Sequence, residues 1–136
     1  MVHGKWLFYT ENLDDVQKVL TAVYGPGLEM TDDDFYAFNI VIYEDSTPVC
    51  CGRLDQKNDT FTVGRLCTVP DKRGKGYADL ALRMIIRKSF DMGAKSISIT
   101  AGDKEANYFM RIGFKAIERT EKGLLLTKFE DVGGCC

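Results

Sequence analysis

The segment that most constrains this chain spans residues 66–78, where a β-branched run gives way to a long helical pattern. Residues 60–63 favour a strand, and apolar side chains recur at helical spacing over residues 79–92. The first N–H groups of a helix have no partner within the helix and carry partial positive charge. A turn from strand directly into helix therefore predicts a site for an anion, above all for phosphate.

The composition of this turn strengthens the phosphate interpretation. Gly74 and Gly76 lack the Cβ atoms that would keep a ligand away from the backbone. Three cations lie within four residues, namely Lys72, Arg73 and Lys75. A P-loop requires Ser or Thr after its Gly-Lys pair, and the dinucleotide fingerprint requires a third glycine where Asp79 stands. We therefore predict that residues 73–78 form a phosphate cradle that is neither a P-loop nor a dinucleotide-binding turn.

Length and charge set the outer limits. With 136 residues, 45% of them hydrophobic, we expect one domain over residues 1–130 with its own core, followed by a flexible tail over residues 131–136. The formal net charge of −2 does not predict general attraction to nucleic acid or to an anionic membrane. No apolar stretch approaches the roughly 20 residues of a membrane span, and the N-terminus lacks a signal-peptide pattern. These features predict a cytoplasmic protein.

Cysteine spacing favours reduced thiols. The chain has five cysteines, and two pairs of them are adjacent: Cys50, Cys51, Cys67, Cys135 and Cys136. Adjacent cysteines suit neither a disulfide framework nor the usual zinc spacing, and His3 is the only histidine. We predict no metal site.

The order of the predicted elements indicates a mixed α/β fold. A strand over residues 5–10 precedes a helix capped by Asn12 or Asp14, and a short second helix starts near Thr31. Strands over residues 36–43, 49–55 and 60–69 form an antiparallel meander. A helix over 79–92, a strand over 95–101, a helix over 103–112 and a hairpin over 114–129 follow. The strand, helix, strand crossover predicts two parallel neighbours joined right-handedly.

Two separated motifs carry a resemblance to a known family. The run from Arg73 through Gly76 to Ala78 resembles the coenzyme A loop of the GCN5-related N-acetyltransferase (GNAT) family, which reads Arg or Gln, two residues, Gly, one residue, then Gly or Ala. Residues 106–114, an alanine-containing helical segment ending in Gly113 and Phe114, resemble the last motif of that family. The resemblance extends over about residues 5–129.

The resemblance implies a GNAT-like sheet, mostly antiparallel, whose central parallel pair splays apart to hold acyl-coenzyme A (acyl-CoA) between about four flanking helices. The pantetheine arm would pair with the end of the fourth strand, and the pyrophosphate would lie on the cradle amides. The implied cofactor-binding residues are Leu66, Cys67, Thr68, Arg73, Gly74, Lys75, Gly76, Tyr77, Ala78, Asn107 and Phe109.

The implied activity is transfer of an acetyl group from acetyl-CoA to a primary amine by direct attack, so Cys67 is not needed as a nucleophile. The family often places a carboxylate base near the fourth strand and a tyrosine acid four residues before the Gly-Phe pair. This chain departs at both places, since residues 60–68 hold no Asp or Glu and Phe109 occupies the tyrosine position. We therefore nominate Tyr108 as the acid and Asp55 as the base.

Several alternatives stay open from the sequence. A CoA-binding sensor without turnover is the second function, while a nucleic-acid-binding domain is disfavoured because no aromatic-interleaved basic face is present. The acidic residues 29–34 would either attract a cationic amine acceptor or cap a helix and lie in water. A homodimer through edge strands is common in folds of this shape.

Overall fold

The computed structural model describes residues 1–8 and 11–130, and the predicted tail lies outside this part of the chain. Seven strands form one mixed sheet in the order β1-β2-β3-β4-β5-β7-β6. The strands are β1 (Val2–Leu7), β2 (Phe38–Glu44), β3 (Thr47–Lys57), β4 (Thr60–Thr68), β5 (Ser96–Ala101), β6 (Lys115–Thr120) and β7 (Gly123–Phe129). The helices are α1 (Asp14–Tyr24), α2 (Asp32–Tyr36), α3 (Tyr77–Asp91) and α4 (Asp103–Arg111).

The first strand begins earlier than the sequence predicted. β1 starts at Val2, which pairs with Glu44, and ends at Leu7, which pairs with Asn39. The predicted strand over residues 5–10 is present, but its predicted start was wrong, because that limit came from the local aromatic run whereas pairing with β2 extends the strand back to Val2. Two of the predicted residues, 9 and 10, lie outside the described part of the chain.

The meander from β2 to β4 is confirmed, with tighter turns than predicted. Asp45 and Ser46, with φ of 50° and 76°, form the two-residue turn between β2 and β3. Positive φ at both positions is typical of the turn that matches the twist of a hairpin. β3 consequently starts at Thr47 instead of residue 49.

Helices cover both faces of the sheet. α3 buries Ala81, Leu82 and Ile85 in the larger core, which they share with residues of β2 to β5 and β7. α1 buries Val16, Val19 and Leu20 in a second core on β2 and β3. Full burial of each of these Val, Leu and Ile side chains contributes about 1.5–3 kcal/mol. None of the described helices is long and apolar enough to cross a membrane.

The parallel pair β4 and β5 opens along its length, as the resemblance implied. Among the described residues Thr62 and Ser98 are the one register pair of these strands, near the start of each. β5 then pairs with β7 throughout, from Ser96 to Ala101. The ends of β4 and β5 therefore separate on the side where the cradle lies.

Candidate active site

The cradle follows directly from the end of β4. After Thr68 the chain makes a short 3-10 turn, Pro70–Lys72, and α3 begins at Tyr77. Gly74 and Gly76 have φ of +81° and +84°, in the left-handed region that favours glycine. A Cβ built on either glycine would meet no other protein atom within 4 Å, so any added side chain would stand in open space beside the helix terminus. The backbone here is thus accessible to a phosphate group.

A carboxylate at the end of β2 organises the cationic side chains. Glu44 Oε1 accepts a hydrogen bond from Lys72 Nζ at 2.6 Å, and its Oε2 accepts one from the Tyr77 hydroxyl. Lys75 Nζ lies 3.7 Å from the same carboxylate. Hydrogen bonds from Lys72 and Tyr77 lower the pKa of Glu44 to about 2, against a smaller opposing effect of burial. Glu44 is therefore charged at neutral pH and ties the cradle to the sheet.

Arg73, the first residue of the motif, is held by the strand that precedes it. Its Nε donates a hydrogen bond to the Thr68 carbonyl oxygen at 3.2 Å. This bond places the guanidinium group beside the cradle glycines, where it can hydrogen-bond and neutralise a phosphate.

Two cavities meet at the opening of the sheet. The cradle cavity, of about 520 Å³, lies between β4, the cradle, the first turn of α3 and the end of α1. The strand cavity, of about 420 Å³, lies between β4 and β5 and reaches the first turns of α4. Tyr24 and Leu66 line both cavities. An extended molecule held in the cradle would thus have a second compartment at its far end.

Most of the sequence-predicted cofactor residues lie together. Eight line the cradle cavity: Leu66, Cys67, Thr68, Arg73, Gly74, Gly76, Tyr77 and Ala78. Phe109 lines the strand cavity. The two other predicted cofactor residues, Lys75 and Asn107, are described but line neither cavity, and Lys75 faces Glu44 instead.

The predicted acid, Tyr108, lines the cradle cavity, but its hydroxyl has a partner. It donates a hydrogen bond to Asp79 Oδ1 at 2.5 Å. Burial and this bond raise the pKa of Tyr108 to about 12. Asp79 is in turn fixed by Arg83, whose Nε donates to Oδ2 at 2.7 Å.

The predicted base, Asp55, is brought to neither cavity. It lies on β3 opposite Thr62, where Arg53 Nε donates to its carboxylate at 3.0 Å. Burial raises the pKa of Asp55 while Arg53 opposes this effect. As a base, Asp55 stays a prediction from the sequence.

The acidic stretch before β2 proves to be partly structural. Asp34 forms a capping box with Thr31, and its carboxylate accepts hydrogen bonds from Arg53 at 2.6 Å and from Arg65 at 3.1 Å. Its side chain is 1% exposed. Burial alone would raise the pKa of Asp34, but the bonds from Thr31, Arg65 and Arg53 lower it to about 2. This carboxylate is already neutralised within the fold, while Asp32 and Asp33 are exposed.

Several residues that line the two cavities were not predicted as site residues from the sequence. Tyr24, Val23 and Asp79 join the cradle cavity, and Glu105 joins the strand cavity. Tyr24 sits beside the Gly-Pro-Gly stop of α1, where the sequence carries only a helix-end signal. Glu105 lies in the first turn of α4, where acidic residues are common for helix stability alone.

The described residues show neither a disulfide nor a metal cluster. Cys50, Cys51 and Cys67 are free thiols. No group of three or more His, Cys, Asp or Glu within residues 1–8 and 11–130 could hold a metal ion.

Both a family model and a curated protein match the sequence of this chain. The sequence model of the Acetyltransferase (GNAT) family matches residues 7–114. An uncharacterized N-acetyltransferase of Bacillus subtilis (strain 168), YjcF, is 22% identical over 83 residues, covering 61% of this chain and 59% of that protein. The chain thus spans about three fifths of this curated relative.

Solved structures show the same fold. An acyl-CoA N-acyltransferase from Pseudomonas aeruginosa matches with a TM-score of 0.82 at 14% identity, over 94% of this chain and 99% of that one. The PaiA N-acetyltransferase from Thermoplasma acidophilum, in complex with coenzyme A, matches with a TM-score of 0.75 at 11% identity, over 96% and 99%. The ribosomal-protein-S18-alanine N-acetyltransferase from Escherichia coli matches with a TM-score of 0.75 at 13% identity, over 98% and 97%. The predicted fold class is confirmed.

Proposed function

The chain belongs to the Acetyltransferase (GNAT) family, and we propose that it transfers an acetyl group from acetyl-CoA to a primary amine of a small molecule or peptide by direct attack in a ternary complex. The observation that carries this proposal is the meeting of the two cavities. The cradle cavity suits the phosphates and pantetheine of the cofactor, and the strand cavity provides a separate compartment for the amine.

The residues present fit coenzyme A. The free helix-terminal N–H groups, the open space beside Gly74 and Gly76, and the Arg73 guanidinium together make a site for a diphosphate. The separated end of β4, at Leu66 to Thr68, leaves backbone groups for the amides of the pantetheine arm. Bound acetyl-CoA would supply the thioester, and a β4 N–H would polarise its carbonyl.

The acceptor amine must lose a proton before it attacks, since alkyl ammonium groups have pKa values near ~10. We propose Glu105 as the group that takes this proton, directly or through one water, because its position in the strand cavity places a carboxylate beside the separated strands. Asp55, nominated from the sequence, stays the second candidate, and its ion pair with Arg53 works against it.

The departing thiolate must gain a proton. Tyr108 stays the donor nominated from the sequence, and Tyr24 is a second candidate because it lines both cavities at their junction. The hydrogen bond from Tyr108 to Asp79 must break before Tyr108 can give its proton to the thiolate, and this requirement favours Tyr24 as the proton donor. Much of the rate can come from positioning the two reactants, which requires neither tyrosine.

Release of free thiol from acetyl-CoA across a panel of primary amines tests the proposal. The panel contains diamines and polyamines, amino acids, and short peptides with free N-termini, so that cationic and zwitterionic acceptors are compared. Turnover with any of these amines above the hydrolysis rate supports the enzyme. Tight CoA binding in calorimetry with no turnover on the whole panel would instead support the non-catalytic sensor.

A further inference from the structure

Cys51 and Cys67 face each other across neighbouring strands. They are register partners in the antiparallel pair β3 and β4, and their sulfur atoms lie 3.9 Å apart. Directly opposite residues in such a pair have Cα atoms about 4.5–5.5 Å apart, within the range of about 4.4–6.8 Å that a disulfide spans. The two thiols are therefore placed for bond formation through a small movement of the sulfur atoms.

The two thiols differ in access and in acidity. Cys51 is fully buried, whereas Cys67 is partly exposed and lines the cradle cavity. A hydrogen bond with Cys51 lowers the pKa of Cys67, and Arg65 and Arg73 lower it further against the effect of burial. The same hydrogen bond, with burial, raises the pKa of Cys51. Cys67 is therefore the thiol suited to react first.

We propose that Cys67 is a thiol-modification site for coenzyme A disulfide, with Cys51 as the resolving thiol. The identity of the reagent rests on the proposed function, because the cavity that Cys67 lines is the one assigned to coenzyme A. The thiol pair itself rests on the geometry of β3 and β4 alone.

The thiol–disulfide exchange would proceed in two steps. The Cys67 thiolate attacks one sulfur of the coenzyme A disulfide, the reagent's S–S bond breaks, and one coenzyme A leaves as a thiolate. The Cys51 thiolate then attacks Sγ of Cys67 and releases the second coenzyme A. Two protein thiols are oxidised to one disulfide, the reagent is reduced to two thiols, and the two protein protons go to the departing thiolates. The mixed disulfide would occupy the cradle cavity only until Cys51 displaces the coenzyme A, and the Cys51–Cys67 disulfide then persists until an external thiol reduces it.

Intact-protein mass spectrometry under non-reducing conditions, with peptide mapping, tests this site. Every variant carries Cys135→Ser and Cys136→Ser, so that the thiols of the C-terminal residues cannot react. After incubation with coenzyme A disulfide, the chain with Cys51 and Cys67 intact is expected to lose two hydrogens. Cys51→Ser is expected to retain one coenzyme A on Cys67, and Cys67→Ser to form neither product. Cys51→Ala repeats the test in case a buried Ser lowers stability, and Cys50→Ser, at the adjacent buried thiol, is the matched control that should react like the parent.

Oxidised glutathione separates the two parts of the proposal. We expect coenzyme A disulfide to react at least about tenfold faster, because the cradle holds its phosphates beside Cys67. Equal rates would overturn the coenzyme A assignment. The site would be overturned if neither reagent left an adduct on Cys67 of Cys51→Ser and neither produced the Cys51–Cys67 disulfide in the parent. Calorimetry with coenzyme A tests the proposed function independently. Binding with an inert Cys67 removes only the exchange site, while a reactive Cys67 without binding removes the proposed function and the coenzyme A assignment and leaves the thiol pair.

Discussion

Glu44 at the end of β2 accepts a hydrogen bond from Lys72 at 2.6 Å, although the two residues are 28 positions apart in the chain. The same carboxylate accepts a hydrogen bond from the Tyr77 hydroxyl and forms an ion pair with Lys75. One acidic side chain thus holds the phosphate cradle against the sheet and neutralises part of its positive charge.

Replacing Glu44 with Gln tests this balance of charge. Glu44→Gln keeps an acceptor for Tyr77 but removes the negative charge that competes with phosphate for Lys72 and Lys75. We expect CoA affinity to rise about threefold at low ionic strength and the gain to shrink in high salt, where charges are screened. Calorimetry at two salt concentrations measures this, with Glu121→Gln in the β6–β7 turn as control. Weaker binding by Glu44→Gln would show that positioning outweighs charge.

The cradle itself is tested by Gly76→Val. A branched side chain at φ of +84° is strained and stands beside the amides that would bind phosphate. We expect CoA affinity to fall at least tenfold, about 1.4 kcal/mol or more. Gly93→Val is the matched control, since Gly93 has φ of +96°, meets no atom within 4 Å, and follows the opposite end of α3. Both variants should lose stability, but equal CoA affinities would contradict the assignment of the cradle.

The cradle could be predicted from sequence because it is local. The strand signal at residues 60–63, the glycines and cations of residues 72–76 and the helical pattern from residue 79 follow one another directly in the chain. The structure brings eight of the predicted cofactor residues into one cavity. The supporting residues could not be found in this way. Tyr77 and Glu44 are 33 positions apart, and Asp34 reaches Arg65 over 31, so only the pairing of strands brings them together. Glu105 and Tyr24 carry only helix-end signals in the sequence.

The proton donor is tested by the pair Tyr24→Phe and Tyr108→Phe. Each variant removes one hydroxyl group and keeps the ring, so CoA affinity should change little. We expect Tyr24→Phe to lower kcat by about tenfold or more. Tyr108→Phe should lower it less, because the Tyr108 hydroxyl already donates a hydrogen bond to Asp79. Steady-state kinetics with the best amine of the panel measure both. A larger loss for Tyr108→Phe would return the role to the residue nominated from the sequence.

The proton acceptor is tested by Glu105→Gln. Loss of this carboxylate from the strand cavity should lower kcat/KM at pH 7 by about 10²-fold, and the loss should shrink at higher pH, where more of the amine is already unprotonated. Asp103→Asn, in the same first turn of α4, controls for the change of charge at that helix end. Asp55→Asn is run in parallel. If Asp55→Asn shows the pH-dependent loss and Glu105→Gln does not, the base is Asp55.

The buried Asp34 predicts a pH-dependent stability. Its pKa of about 2 in the folded chain lies below its ordinary value of 3.8, so its stabilisation is fully present above pH 3.8 and is lost as the pH falls through about 2. At pH 7, Asp34→Asn should lower the free energy of unfolding by about 3 kcal/mol, because Arg53 and Arg65 lose their shared partner.

Urea unfolding from pH 7 to pH 2 measures the effect of Asp34→Asn. Asp33→Asn, an exposed neighbour on the same helix, should unfold like the parent chain. A difference between Asp34→Asn and the parent that persisted unchanged at pH 2 would mean that the carboxylate charge does not provide the stabilisation.

Within the described part of the chain, Thr62 and Ser98 are the one register pair of β4 and β5, and this leaves much of the facing edges of both strands unpaired. Beyond Thr62 and Ser98, the facing edges of β4 and β5 carry backbone N–H and C=O groups that do not pair with each other. These two inner edges resemble the outer edges of ordinary sheets, whose backbone groups face water. A pantetheine arm, which carries two amide groups, would occupy that gap as a short substitute strand. Under the proposed function the substrate would therefore complete the sheet, and the same opening would leave strand edges of the unliganded protein available for pairing with another chain.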